Sequence, residues 1–231
     1  MSPAKEVARK WLQHRRAVPR ASLRSQNRSE NRFVHSDVDV KYWLAGPPPV
    51  EVLRPPRCPC CGAASRPAGA PLVLHGHGIR ERMMMGPETS SGRPLMQVAY
   101  CRRFRCTACT AVMLVVPRPV LAGRRYTANA IALALALWGH FTGSRTAEAV
   151  RERVAPGVYF ETGWRSLRRW TRAVAVRGLF PGYMAVGVTV DGLRLREVAS
   201  GIASWLAGFA PPGPPGEALW ELAFRGGERA A

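Results

Sequence analysis

Acidic residues are scarce in this 231-residue chain: 15 Asp and Glu stand against 34 Lys and Arg, and only Asp37, Asp39 and Asp191 are aspartates. Lysine is scarcer still, with 3 Lys to 31 Arg beside 22 Gly and 20 Pro, a bias that GC-rich codon usage produces. Codon usage explains Arg over Lys but not the shortage of acids, because Asp and Glu codons are not excluded by GC pressure. The formal +19 therefore points to a polyanionic partner, nucleic acid first. Long apolar runs are missing too. The most apolar stretch, 128–138 (ANAIALALALW), is about half of the roughly 20 residues that a membrane span needs, and reads as a buried core helix. The N-terminus, MSPAKEVARKWLQHRRAVPR, is charged throughout and has no apolar signal region, so the expectation is a cytoplasmic, nucleoid-associated protein with no membrane partner. With 47% hydrophobic and 21% charged residues, wholesale disorder is excluded.

The positive charge is unevenly spread. Residues 1–50, 51–147, 148–177 and 178–231 carry +6, +10, +4 and −1. Between Glu88 and Glu148 there is no acid, while Arg93, Arg102, Arg103, Arg105, Arg118, Arg124, Arg125 and Arg145 all fall there. Without local carboxylates, Arg102, Arg103, Arg105, Arg124 and Arg125 are candidate phosphate contacts.

Four of the six cysteines form two Cys-x-x-Cys pairs, Cys58/Cys61 and Cys106/Cys109. Two intervening residues let one tight turn aim both sulfurs at one ion, and two such turns suit tetrahedral zinc. Gly62 supplies the positive φ that follows the second ligand of the first turn, whereas Thr110 stands at the equivalent place in the second. The 44 residues between Cys61 and Cys106 hold two β-like runs, 71–79 and 95–105, joined by a loop at 86–94, the layout of a zinc ribbon with a long hairpin. Four thiolates make a closed, structural site, since a catalytic zinc keeps a position open for water. Cys60, Cys101, His75 and His77 stay open as replacement ligands.

From Thr127, a reasonable N-cap, the pattern turns helical, with helices expected to about His140, from about Arg145 to Val154, and from about Gly163 to Val176. In the third, GWRSLRRWTRAVAV, Trp164, Leu167, Trp170 and Val174 fall on one side, and Arg165, Arg168, Arg169 and Arg172 on the other. An apolar face backed by an arginine face fits the reading helix of a helix-turn-helix lying in the major groove of DNA. The connection between the second and third helices exceeds the usual turn of about 3 to 4 residues, so the motif is a variant.

The run Cys58-Pro-x-Cys61-Gly62, Leu74-His75-Gly76-His77-Gly78 with Arg80 and Arg82, Arg103-Phe104-Arg105-Cys106-x-x-Cys109, Val116-Pro117 and Arg124-Arg125-Tyr126 resembles the zinc-ribbon and helix-turn-helix N-terminal region of bacterial insertion-sequence transposases. It resembles more closely a family of short bacterial proteins that keep only this region. The likeness covers about residues 54–176, with Thr110 and Met113 departing from the second knuckle's usual glycine and aromatic. It implies zinc at Cys58, Cys61, Cys106 and Cys109 and DNA contact from the helical module. It does not imply transposition, which in that class needs three carboxylates holding two metal ions. Asp191 follows a strand-like run, 183–190, but with 40 residues after it the better reading is a turn with Gly192.

The expected architecture is α+β: a basic, partly disordered arm (1–53), a zinc ribbon with a small antiparallel sheet (54–120), a three-helix helix-turn-helix-like module (121–177) and a C-terminal appendix (178–231) that completes the core or dimerises the protein. The expected function is double-stranded DNA binding around one structural Zn²⁺, mobile-element-associated or regulatory, with no catalysis of its own. The alternatives are a truncated transposase or accessory subunit working with a transposase or integrase partner, and an RNA-binding or protein-docking ribbon.

Overall fold

The computed structural model describes residues 32–140, 146–155, 157, 164–176, 178–183 and 194–230. A short helix that the sequence allows at the start of the arm, residues 4–17, lies outside the described residues, as do the strand-like run at 184–190 and the Asp191 turn. So do the expected helix starts at Arg145 and Gly163.

The chain is α+β, with two hydrophobic cores. The first surrounds a four-stranded sheet of order β1-β4-β3-β2, formed by β1 (Phe33–Ser36), β2 (Leu74–Pro87), β3 (Pro94–Cys106) and β4 (Val112–Pro117). β2 and β3 make a long antiparallel hairpin and β4 adds antiparallel to β3. β2 runs well past the end expected at Ile79, because Met83, Met84 and Met85 continue the ladder against Val98, Gln97 and Met96.

The sheet is mixed rather than antiparallel throughout, which corrects the sequence expectation. β1 comes from the stretch read as an arm and pairs parallel to β4, Phe33 with Leu114 and His35 with Val116. The same stretch continues into α1 (Val40–Ala45) and α2 (Val50–Leu53). Asp39 caps α1, its carboxylate accepting from the Lys41 amide at 3.0 Å. Trp43 of α1 is fully buried with Leu53, Leu74, Phe104 and Met113, and burial of this indole contributes to holding the segment on the sheet. The prolines between the arm and the first cysteine are part of this packing: the Arg102 guanidinium donates to the Pro48 and Pro47 carbonyls, and the Ser65 hydroxyl to the Pro55 carbonyl.

The second core is helical and centres on α3 (Ala128–Gly139), capped by the Thr127 side chain accepting from the Ala130 amide at 3.1 Å. Its sequence alternates Ala with Ile or Leu, so it is apolar all round, and Ala128 and every residue from Ala130 to Leu137 are buried. α4 (Ala147–Val154) and α5 (Ser166–Ala175) pack on it as expected. The most extensive packing on α3 comes instead from α6 (Leu195–Ala207) and α7 (Leu219–Gly227). The described residues beyond 193 thus complete the core, with Ile202, Leu206, Ala223 and Phe224 buried in it. No helix among the described residues is long and apolar enough to cross a membrane.

Close approach between these helices depends on glycine. A Cβ on Gly226 of α7 would run into the carbonyl oxygen of Leu206 on α6, and one on Gly139 would meet the backbone of Ala199 and Ser200. Gly226→Ala should therefore destabilise the protein by about 2 kcal/mol, the scale of overpacking a tight core. Chemical denaturation measures it, and an unchanged midpoint would mean that α7 is not part of the cooperative core.

Candidate metal centre and arginine face

Hairpin register brings the two Cys-x-x-Cys turns together. Leu74 at the start of β2 pairs with Cys106 at the end of β3. The Val73 amide donates to the Ser65 carbonyl at 2.9 Å, and the Thr107 amide to the Val73 carbonyl at 2.9 Å, so the loop carrying Cys58 and Cys61 is laced to the same end of the sheet. Each turn closes alike, with Cys58 N–H donating to Ala63 and Cys106 N–H to Ala111, both at 2.9 Å. Each then passes through left-handed backbone, at Gly62 (φ 76°) and at Thr110 (φ 60°). Thr110 thus adopts the conformation that glycine would take without strain, and for a β-branched side chain this costs about 1–2 kcal/mol.

The sulfurs of Cys58, Cys61, Cys106 and Cys109 all lie within 4.8 Å of one another. Cys58 to Cys109 is 3.7 Å and Cys61 to Cys106 is 3.8 Å. A tetrahedral ion bound by four thiolates at about 2.3 Å has sulfur–sulfur edges of about 3.8 Å, so the donor set fits one such ion. None of the six cysteines is in a disulfide.

The electrostatics agree with a cation-binding cluster. Burial raises the Cys58 thiol, but the amides of Cys61 and Cys60 and the neighbouring thiols outweigh it and bring Cys58 down to about 7. Cys109 goes the other way: the Ala111 amide lowers it, but burial and the thiols of Cys61, Cys106 and Cys58 push it up to about 12. One thiolate forms readily and suppresses the next, a conflict that a shared cation removes.

The other candidate ligands are placed elsewhere. Cys101 is buried in β3, its thiol raised to about 12 by burial. Cys60 is exposed and not part of the cluster. His75 Nε2 is bonded to the Leu72 carbonyl at 2.8 Å, and His77 is exposed outside the cluster.

On α5 the two faces separate as the periodicity predicts. Leu167, Trp170, Thr171 and Val174 are buried, while Arg165, Arg168, Arg169 and Arg172 are all exposed. Trp164 and Trp170 meet edge-on at 5.3 Å, and Tyr126 meets Trp170 at 4.9 Å, so these rings belong to the core rather than to a stacking surface. Arg105 and Arg125 are exposed, Arg103 and Arg124 half-buried. No ion pair among the described residues involves any of these arginines or Arg102. Arg102 differs in holding the proline strap with its guanidinium. The aspartates serve structure where they are described: Asp37 pairs with Arg118, and Asp39 caps α1.

The structure also places together residues that the sequence left apart. Trp138 at the end of α3, Arg168 and Arg172 of α5, and Arg194, Leu195, Arg196 and Glu197 at the start of α6 line an open cleft of about 480 Å³. Arg194 and Arg196 were hidden because their segment nets −1; the signal available was their spacing, two residues apart and just ahead of an amphipathic run.

Comparison with protein-family models, with curated proteins and with solved structures finds no match.

Replacing Thr110 by Gly should relieve the left-handed strain and raise stability by about 1 kcal/mol in chemical denaturation. Thr110→Ala, which keeps a Cβ, should gain far less. Equal gains from both would show that the turn carries no strain.

Proposed function

We propose that the protein binds double-stranded DNA through its arginine surface, with one Zn²⁺ holding the sheet unit together, and has no catalytic activity of its own. The observation that carries the DNA reading is α5, a helix whose apolar side is buried and whose opposite side presents four exposed arginines without ion-pair partners among the described residues. A helix of this kind fits the major groove, where guanidinium groups read guanine edges or grip phosphates. Zinc is the natural occupant of four thiolates in tetrahedral array. Its net −2 with them leaves the folded chain near +17 from a formal +19. The resemblance to transposase DNA-binding regions points the same way, towards a zinc ribbon followed by a helix-turn-helix variant in a mobile-element or regulatory setting.

Two measurements test the two halves separately. Elemental analysis should find one zinc per chain, lost in Cys106→Ser and retained in Cys60→Ser and Cys101→Ala. Zinc absent from the purified protein would overturn the metal assignment. Filter binding over a salt series should show duplex affinity falling linearly on logarithmic axes. Replacing Arg165, Arg168, Arg169 and Arg172 by Ala should weaken it at least about 100-fold and flatten the slope. Unchanged affinity and slope would refute the α5 assignment, and single-stranded RNA outcompeting duplex would replace DNA by RNA.

A further inference from the structure

Around α5 the four arginines are not equivalent. At about 100° per residue, Arg168 and Arg172 occupy one edge of the exposed stripe and Arg165 and Arg169 the other. Arg168 and Arg172, one turn apart, also line the cleft against the start of α6, whereas Arg165 and Arg169 do not. Across the cleft, Arg194 is held by Glu197 at 3.0 Å, and the Arg196 guanidinium lies 5.8 Å from the centre of the Trp138 ring. Both side chains are thereby steadied at the rim. The lining holds four guanidinium groups and one carboxylate, Glu197, which is exposed and already engaged with Arg194.

We infer that this cleft is a phosphate clamp for the DNA backbone: Arg194 and Arg196 close from α6 on a strand whose phosphates Arg168 and Arg172 meet from α5, leaving Arg165 and Arg169 to face base edges. The inference rests on the DNA-binding reading and extends the contact surface to α6, in a segment with no net positive charge. Charge complementarity selects the ligand. A phosphodiester chain offers repeated anions to a wide, open cleft with guanidinium groups on both walls, and Arg forks match phosphate oxygens. Trp138 acts as a positioning residue, through Arg196.

The test is duplex binding by the full-length, zinc-loaded protein and its Arg194→Ala/Arg196→Ala variant over a salt series, on two duplexes of unrelated sequence. Both substituted side chains are exposed, so zinc content and circular dichroism should match the wild type. The expected result is a drop of about 10-fold near physiological salt, equal on both duplexes, with a salt slope shallower by about 2. Wild-type affinity and slope in the variant would overturn the clamp while the DNA reading stands. A loss confined to one duplex would overturn the phosphate assignment in favour of base contact. A wild type that bound no duplex would overturn the DNA reading and the clamp together. If inorganic phosphate raised the melting temperature of the wild type alone while the two proteins bound duplex equally, the cleft would take free phosphate, overturning its assignment to DNA.

Discussion

Four sulfur atoms within 4.8 Å of one another form the constraint on which the sheet unit turns. Neutral thiols at this distance gain little from each other, and thiolates repel, so a cation shared among them would relieve the crowding. Everything near it is arranged to enforce the approach. The β2–β3 ladder delivers Cys106 to the level of Leu74, and two amides tie the Cys58 turn to that end of the sheet. A strained Thr110 is tolerated so that the second turn can close. An ion in this position would connect chain segments more than 40 residues apart, which is where a cross-link removes most freedom from the unfolded chain.

The helical unit is joined to this sheet by backbone rather than by side chains alone. Met85 on β2 donates to the Arg125 carbonyl at 2.8 Å and accepts from the Thr127 amide at 3.0 Å. The next residue, Gly86, has a φ of 143° and lies where a Cβ would strike Ala130 of α3. The link carrying Arg124 and Arg125 is thus fixed at the residue that caps the central helix, and Arg153 of α4 reaches the Ser90 carbonyl of the hairpin loop at 2.9 Å. Arginines on the link and on α5 are thereby presented by one framework, whose parts cannot drift independently without breaking ladder-type hydrogen bonds.

What could be read from the sequence was local chemistry: the four clustered cysteines by their spacing, the N-cap at Thr127, the wholly buried α3 by its unbroken apolar run, and the faces of α5 by their period. Less legible was anything decided by pairing at a distance. β1 is four residues long and gains strand geometry only by lying beside β4, so its own pattern carried no signal. Trp43, beside Tyr42 in the stretch read as an arm, is buried because β3 offers a surface for its helix. For helices α6 and α7 the sequence left core completion and dimerisation both open, since Pro211 to Gly216 reads as a linker; this linker returns α7 onto α3 and α6, with Arg225 paired to Glu217 and donating to the Pro211 carbonyl.

Net charge, the plainest feature of the chain, turns out to be a poor map of where cations are available. Arg102 lies in the most basic segment, but its guanidinium is committed to Pro47 and Pro48, and Arg54 is likewise engaged by Glu51 and the Leu74 carbonyl. Arg194 and Arg196 belong to the only segment with a negative total, but folding carries them to the cleft beside α5, where both stay exposed although Arg194 is paired with Glu197 and Arg196 stands over Trp138. An arginine contributes to a polyanion surface when its guanidinium is exposed, and exposure is set by packing, not by segment sums. The compact helical core is thus a determinant of the charged surface as well as of stability: by burying Leu167, Trp170 and Val174 it aims the opposite side of α5 outward, and by seating α6 on α3 it brings a second pair of guanidinium groups alongside.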